Sequence, residues 1–177
     1  MIAAPRFIRW MTAVALLTAA APALTGQASP DKDKSDNAVP VNVLEKQFFE
    51  AIRAGNAPNV LSYVSKGGVN VGPDAQHASR EGVEQEFASH RGLYCRLFDS
   101  SCIQAPVDLA NSAHTCSYRD LLAHSKEVKT AASALTRGGV RQAILVARIK
   151  NDECPNQNLI DFVFNLQADG WKLFSVP

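Results

Sequence analysis

The sequence lacks the signatures that usually announce an enzyme. It has no G-x-S-x-G elbow, no H-E-x-x-H helix and no glycine-rich phosphate loop, so serine hydrolases of that type, zinc proteases and nucleotide-phosphate binders lose their sequence support. A charge excess is missing too. Arg6 and Arg9 account for two of the 18 basic residues, leaving 16 from Ser29 onward against 17 acidic ones, a net charge of −1. That balance gives no electrostatic footprint for nucleic acid or for an anionic membrane surface. The longest apolar run, Trp10 to Leu24, has roughly 15 residues where a bilayer span needs about 20, and no cysteine lies near its end to carry a lipid. The four cysteines are not spaced C-x-x-C and the histidines do not interleave with them at ligand spacing, so neither a metal nor any other cofactor is expected.

What is present begins with an export signal. Arg6 and Arg9 form a basic start, the apolar run follows, and small residues at Gly26-Gln27-Ala28 mark a cleavage site, with Ala21-Pro22-Ala23 as the competitor and an uncleaved anchor as the alternative. Residues 1–28 are therefore read as a signal peptide and 29–38 (SPDKDKSDNA) as a charged, flexible leader with nothing to bury. Residues 39–177 remain for a single domain, secreted or periplasmic. There the even set Cys95, Cys102, Cys116 and Cys154 is expected to pair. Three pairings are open. The preferred one joins Cys95 to Cys102 as a local staple and Cys116 to Cys154 around a loop of about 39 residues, worth about 4 kcal/mol in the chain-entropy estimate.

The end of the chain carries the strongest pattern. Ile160, Phe162, Phe164 and Leu166 fall two apart, so they line one face of a strand while Asp161 and Asn165 point the other way. VRQAILVARI, LIDFVFNL and WKLFSV read as consecutive strands. Glu127–Arg137 precedes them across a Gly138-Gly139 hairpin turn, making a four-stranded antiparallel meander. Upstream, Asn42 as N-cap and Glu45 open a helix whose Leu44, Phe48 and Ile52 recur at spacing four, flanked by Phe49 and Ala51. A second helix starts at Pro58 and stops at Gly67-Gly68, and Val69-Asn70-Val71 alternates like a short strand. A third helix starts at Ser79, with Glu84, Glu86 and Arg91 crowded around His90. LYCRLF reads as a strand, and Ser117 caps a short helix with Asp120 at the capping-box position. The fold class is α+β, with N-terminal helices packed on a mostly antiparallel sheet.

A helix ending in R-A-G-N within FFEAIRAGNAPNVLSYVS, the SREGVEQEF helix, and the closing LIDFVFNLQADGWKLFSV resemble the nuclear transport factor 2-like superfamily, which includes ketosteroid isomerase-like domains. The resemblance implies a cone: a strongly bent sheet around helices with a pocket at its open end, used for ligand binding, protein interaction or cofactor-free acid–base chemistry. Fold does not select among these. The leading expectation is a non-catalytic binding module for a small apolar ligand or a partner protein, with a homodimer through the sheet's outer face as an option. The rival is a small acid–base enzyme of isomerase, dehydratase or hydrolase type. Its candidate residues are Asp161, Tyr94, His77, His124 and Tyr63. Asp161 interrupts an apolar strand, where burial would suit it to proton transfer, unless it sits on the open face or pairs with Arg148 or Lys172. A third option is an inhibitor or immunity protein whose loop Asp99 to Thr115 plugs another protein's active site.

Overall fold

The apolar stripe at spacing four dictates where the first helix, α1 (Val41–Arg53), turns its face: Leu44, Phe48, Phe49, Ala51 and Ile52 are all buried. The structure, a computed structural model, describes residues 38–103, 115–154 and 157–177. The signal segment, nearly all of the leader and most of the proposed plug loop lie outside those residues. The capping expected at Asn42 does not occur. Pro40 occupies the N-cap without a side-chain hydrogen bond, and its carbonyl accepts from Val43 and Leu44, because a proline just ahead of the first turn already fixes the entry geometry.

Helix α2 (Ala57–Tyr63) begins one residue before Pro58 and ends short of the glycine pair. Asn56 caps it, its side chain accepting the Asn59 N–H at 3.1 Å. Strand β1 (Val69–Val71) forms as the alternation requires, and β2 (Gln76–Ala78), not anticipated, folds back on it with Val69 opposite Ala78. Helix α3 (Arg80–Ser89) starts from the Ser79 cap and ends with His90 in the left-handed conformation. The stretch LYCRLF is a helix, α4 (Leu93–Phe98), not a strand. Leu93 with Leu97 and Tyr94 with Phe98 are each four apart, so the same six residues satisfy a helical face, and the burial of Leu93, Leu97 and Phe98, with Tyr94 half-buried against them, decides the matter. Helix α5 (Tyr118–His124) has the Ser117 cap and Asp120 where expected.

Strands β3 (Glu127–Arg137), β4 (Val140–Lys150), β5 (Leu159–Gln167) and β6 (Gly170–Val176) form the antiparallel meander. Gly138 and Gly139 both take positive φ, as a two-residue hairpin turn of this hand needs. The six-stranded sheet runs β2-β1-β6-β5-β4-β3, with β1 lying parallel to β6 and every other pairing antiparallel. It is an open sheet with two edges.

The alternation in β5 puts Ile160, Phe162 and Phe164 under the helices, level with Ala147, Leu145 and Ala143 of β4. Small residues on β4 leave room for rings from β5 and α1. The Phe48 ring sits 4.9 Å, centroid to centroid, from both Phe162 and Phe164 and 5.4 Å from Tyr63, all edge-on. Tyr118 of α5 closes the same cluster at 5.6 Å from Phe162. The Trp171 indole N–H donates to the Val39 carbonyl at 2.9 Å and ties the entry of α1 to β6. The sheet's other face carries Ile144, Val146 and Val163 half-buried and Phe174 at 43% exposure.

Two cysteine pairs stand at disulfide distance, Cys95 with Cys102 and Cys116 with Cys154, their Cα atoms 5.5 and 6.1 Å apart. This is the preferred pairing of the three. The first holds α4 to a short 3₁₀ turn (Ser100–Cys102); the second anchors the start of α5 to the β4–β5 connection. Among the described residues no helix is long and apolar enough to cross a membrane.

Candidate functional site

The five candidate residues do not converge. Tyr63 belongs to the aromatic cluster, its ring edge-on to Phe48 and Phe164, and burial pushes its phenol pKa up. Asp161 is exposed on the sheet's outer face opposite Val146, so the desolvation that would fit it for proton transfer is absent. Neither partner proposed for it is engaged: the Lys172 ammonium lies 3.1 Å from Asp169 and Arg148 stands opposite Leu159.

His124 is exposed, its Nδ1 3.9 Å from an Asp120 carboxylate oxygen. The other Asp120 oxygen is occupied by two hydroxyls, that of Ser100 and that of Ser117, the latter at 2.8 Å. Ser100 in turn accepts the Ser117 N–H at 2.7 Å. A serine nucleophile needs the histidine between hydroxyl and carboxylate; here the carboxylate stands between, and the cluster is a knot joining the 3₁₀ turn to α5. Ser117→Ala, which removes one hydroxyl of the knot and the α5 cap together, is expected to cost about 1–2 kcal/mol in urea unfolding. A cost under about 0.5 kcal/mol would show that the knot contributes nothing beyond exposed polar contacts.

His77 lines a groove, and Tyr94 stands beside it as the ring on which one lining residue, His90, stacks. The groove, of about 1120 Å³, opens between β2 on one side and α3 and α4 on the other. His77 lines it from β2, His90 and Arg91 from the end of α3, and Arg96 from α4. The His90 imidazole stacks flat on Tyr94, 4.3 Å between centroids and 9° between planes, and Tyr94 leans on Phe87 and Phe98 behind it. Gly92, at φ +52°, lets the chain turn from α3 into α4 where the Glu86 carboxyl packs on the backbone, and a Cβ there would collide with that carboxyl. Glu86 accepts the Leu93 N–H at 2.8 Å, so the one carboxylate lining the groove is already engaged. Just outside it, hydrogen bonds from Ser101 hold the Asp99 carboxyl below the usual carboxylate range, with the fields of His90 and Arg119 adding to the effect.

Comparison with protein families, curated proteins and solved structures finds no match to this chain. The groove is therefore read from its own chemistry. One of its lining residues, Arg96, is anchored to Pro177. Arg96 donates to the Pro177 carbonyl at 2.7 Å, and the Tyr118 hydroxyl donates to the same oxygen at 2.8 Å. Burial drives the Tyr118 phenol from 10 up to about 12, against the opposing field of Arg96 and with a smaller push from Asp161. Because the folded pKa lies above the unfolded one, the fold is unaffected below pH 10 and loses stability as pH rises from 10 to 12, in total of order 2–3 kcal/mol. Unfolding midpoints measured across that window should fall for the native chain and fall less steeply for Tyr118→Phe, which keeps only the smaller contribution of Tyr63. Parallel slopes for the two would assign the loss to other groups.

The basic character of the groove was only partly legible. Glu86, His90 and Arg91 are visible in sequence as a cluster, but Arg96 joins them only because α4 is helical, and His77 only because β2 folds back. Among the described residues no three His, Cys, Asp or Glu side chains are placed to hold a metal ion.

Proposed function

We propose that this chain is an exported, non-catalytic binding module that takes an acidic segment of a partner protein into the groove between β2 and the α3–α4 turn. The observation that carries the reading is the groove's lining: two guanidinium groups, Arg91 and Arg96, stand in it beside the imidazoles of His77 and His90, against one carboxylate already accepting a backbone N–H. In a chain balanced near neutrality such a local excess of basic groups favours partners of opposite sign. The flat His90–Tyr94 pair supplies an apolar rest beside the charges. On the helix-covered face of the sheet, by contrast, rings pack on rings around Phe48, which supports a surface ligand over a small apolar one held inside.

Export is supported by the basic-then-apolar start and by two cysteine pairs, which persist in an oxidising compartment such as the periplasm. The nuclear transport factor 2-like assignment and its cone belong to the same proposal, supported by the order of helices, short strand, helix and meander.

Titration of the ¹⁵N-labelled chain with hexaglutamate tests the binding reading. Shift changes should concentrate at residues 76–78 and 86–96, and Arg91→Glu, an exposed position, should weaken binding at least about tenfold. Changes centred on another surface, or an affinity indifferent to Arg91→Glu, would overturn it.

A further inference from the structure

The two edges of the sheet differ sharply. β2 ends one side with three residues, whereas β3 ends the other with 11, EVKTAASALTR, in continuous register with β4. Proteins that keep such an edge single blunt it with proline, a bulge, a covering segment or repeated charge. β3 has no proline and no bulge, and its stretch from Thr130 to Thr136 is uncharged. Among the described residues its backbone bonds to no segment beyond β4 and the adjoining turn, and nine of its 11 residues are exposed.

We propose that this edge pairs antiparallel with the β3 edge of a second copy, joining the two sheets across a twofold axis at Ala132. The strand's own charge pattern selects that occupant and that register. Centred on Ala132, all 11 residues find a partner, and Glu127 of each copy stands opposite Arg137 of the other, a favourable cross-strand pair formed twice. A parallel pairing in register would set Glu127 against Glu127 and Arg137 against Arg137. The centre suits close approach: Ala131, Ala132, Ser133 and Ala134 are small.

The two faces of the strand fit the same arrangement. Val128 and Ala132 pack toward the core, so Thr130 and Ala134 share that side while Lys129 and Leu135 lie on the other. Lys129 of one copy then falls opposite Leu135 of the other, whose 37% exposure its aliphatic stem can cover. On the core side, Thr130 borders a groove of about 470 Å³ also lined by Phe49 and Arg53 of α1, directly beneath where the second strand's Ala134 would lie. The surface is separate from the basic groove, which sits by β2 at the opposite edge, so losing the dimer leaves the groove as it is.

Sedimentation equilibrium of the mature chain, from low micromolar to hundreds of micromolar, should show a monomer–dimer equilibrium. Arg137→Glu, at an exposed position whose change leaves the core alone, should raise the dissociation constant about tenfold, since two attractive pairs become repulsive. Adding Glu127→Arg to the same chain should restore it. Far-UV circular dichroism of each variant should match the parent. A parent that stays monomeric throughout, a dimer indifferent to Arg137→Glu, or a double reversal that fails to recover association would each overturn the proposal.

Discussion

Phe48→Ala is expected to lower the unfolding free energy by about 3–5 kcal/mol, enough to leave the chain marginal at room temperature. Phe48 is fully buried, and its ring is where α1, α2 and the sheet meet: Phe162, Phe164 and Tyr63 all contact it edge-on. Deleting it removes a large apolar area from burial and opens a cavity that the facing strands, held by their ladder hydrogen bonds, can close only in part. Phe174→Ala is the contrast. That ring lies on the sheet's outer face at 43% exposure and its loss should cost no more than about 1 kcal/mol. Urea unfolding of both variants separates the two faces. Similar costs for both would mean that the outer face is covered to the same degree as the core.

Replacing Cys116 and Cys154 by alanine should cost about 4 kcal/mol, the second large effect. The bridge spans 38 positions, and releasing a loop of that length restores about that much conformational freedom to the unfolded chain. Cys154 is 1% exposed and Cys116 9% exposed, so alanine, not serine, avoids burying an unpaired hydroxyl. The Cys95–Cys102 pair spans only seven positions, and its loss should cost about 2.5 kcal/mol by the same relation. The comparison is made by denaturant melts of the two double variants beside the reduced parent. A smaller loss for the 116–154 variant than for the 95–102 variant would contradict the loop-length argument.

Much of this fold is written in local periodicity. The stripe Leu44, Phe48, Ile52 fixes both the helix and its buried face because a 3.6-residue repeat admits one such face. The alternation of Ile160, Phe162 and Phe164 does the same for β5, where a slip of one residue would turn three large side chains to solvent. Ser117 with Asp120, and Gly138 with Gly139, mark a helix start and a hairpin through chemistry confined to a few neighbouring residues. The preferred cysteine pairing was one of three that the sequence allowed, and only spatial proximity selected it.

What tertiary structure alone decided lies in segments too short to carry a repeat. LYCRLF fits a strand or a helix equally well over six residues, and contacts with Phe87, Glu86 and Cys102 settle it as α4. β2 has three residues and no pattern of its own; it is a strand because β1 is there to pair with, and β1 is held in turn by β6, more than a hundred positions away. The basic groove inherits that dependence. Arg91 and Arg96 lie five apart on the α3–α4 turn and α4, but His77 joins them from β2, whose placement is fixed by long-range pairing, so no local pattern could bring it to them, whereas the helix faces and the meander needed only their own neighbours.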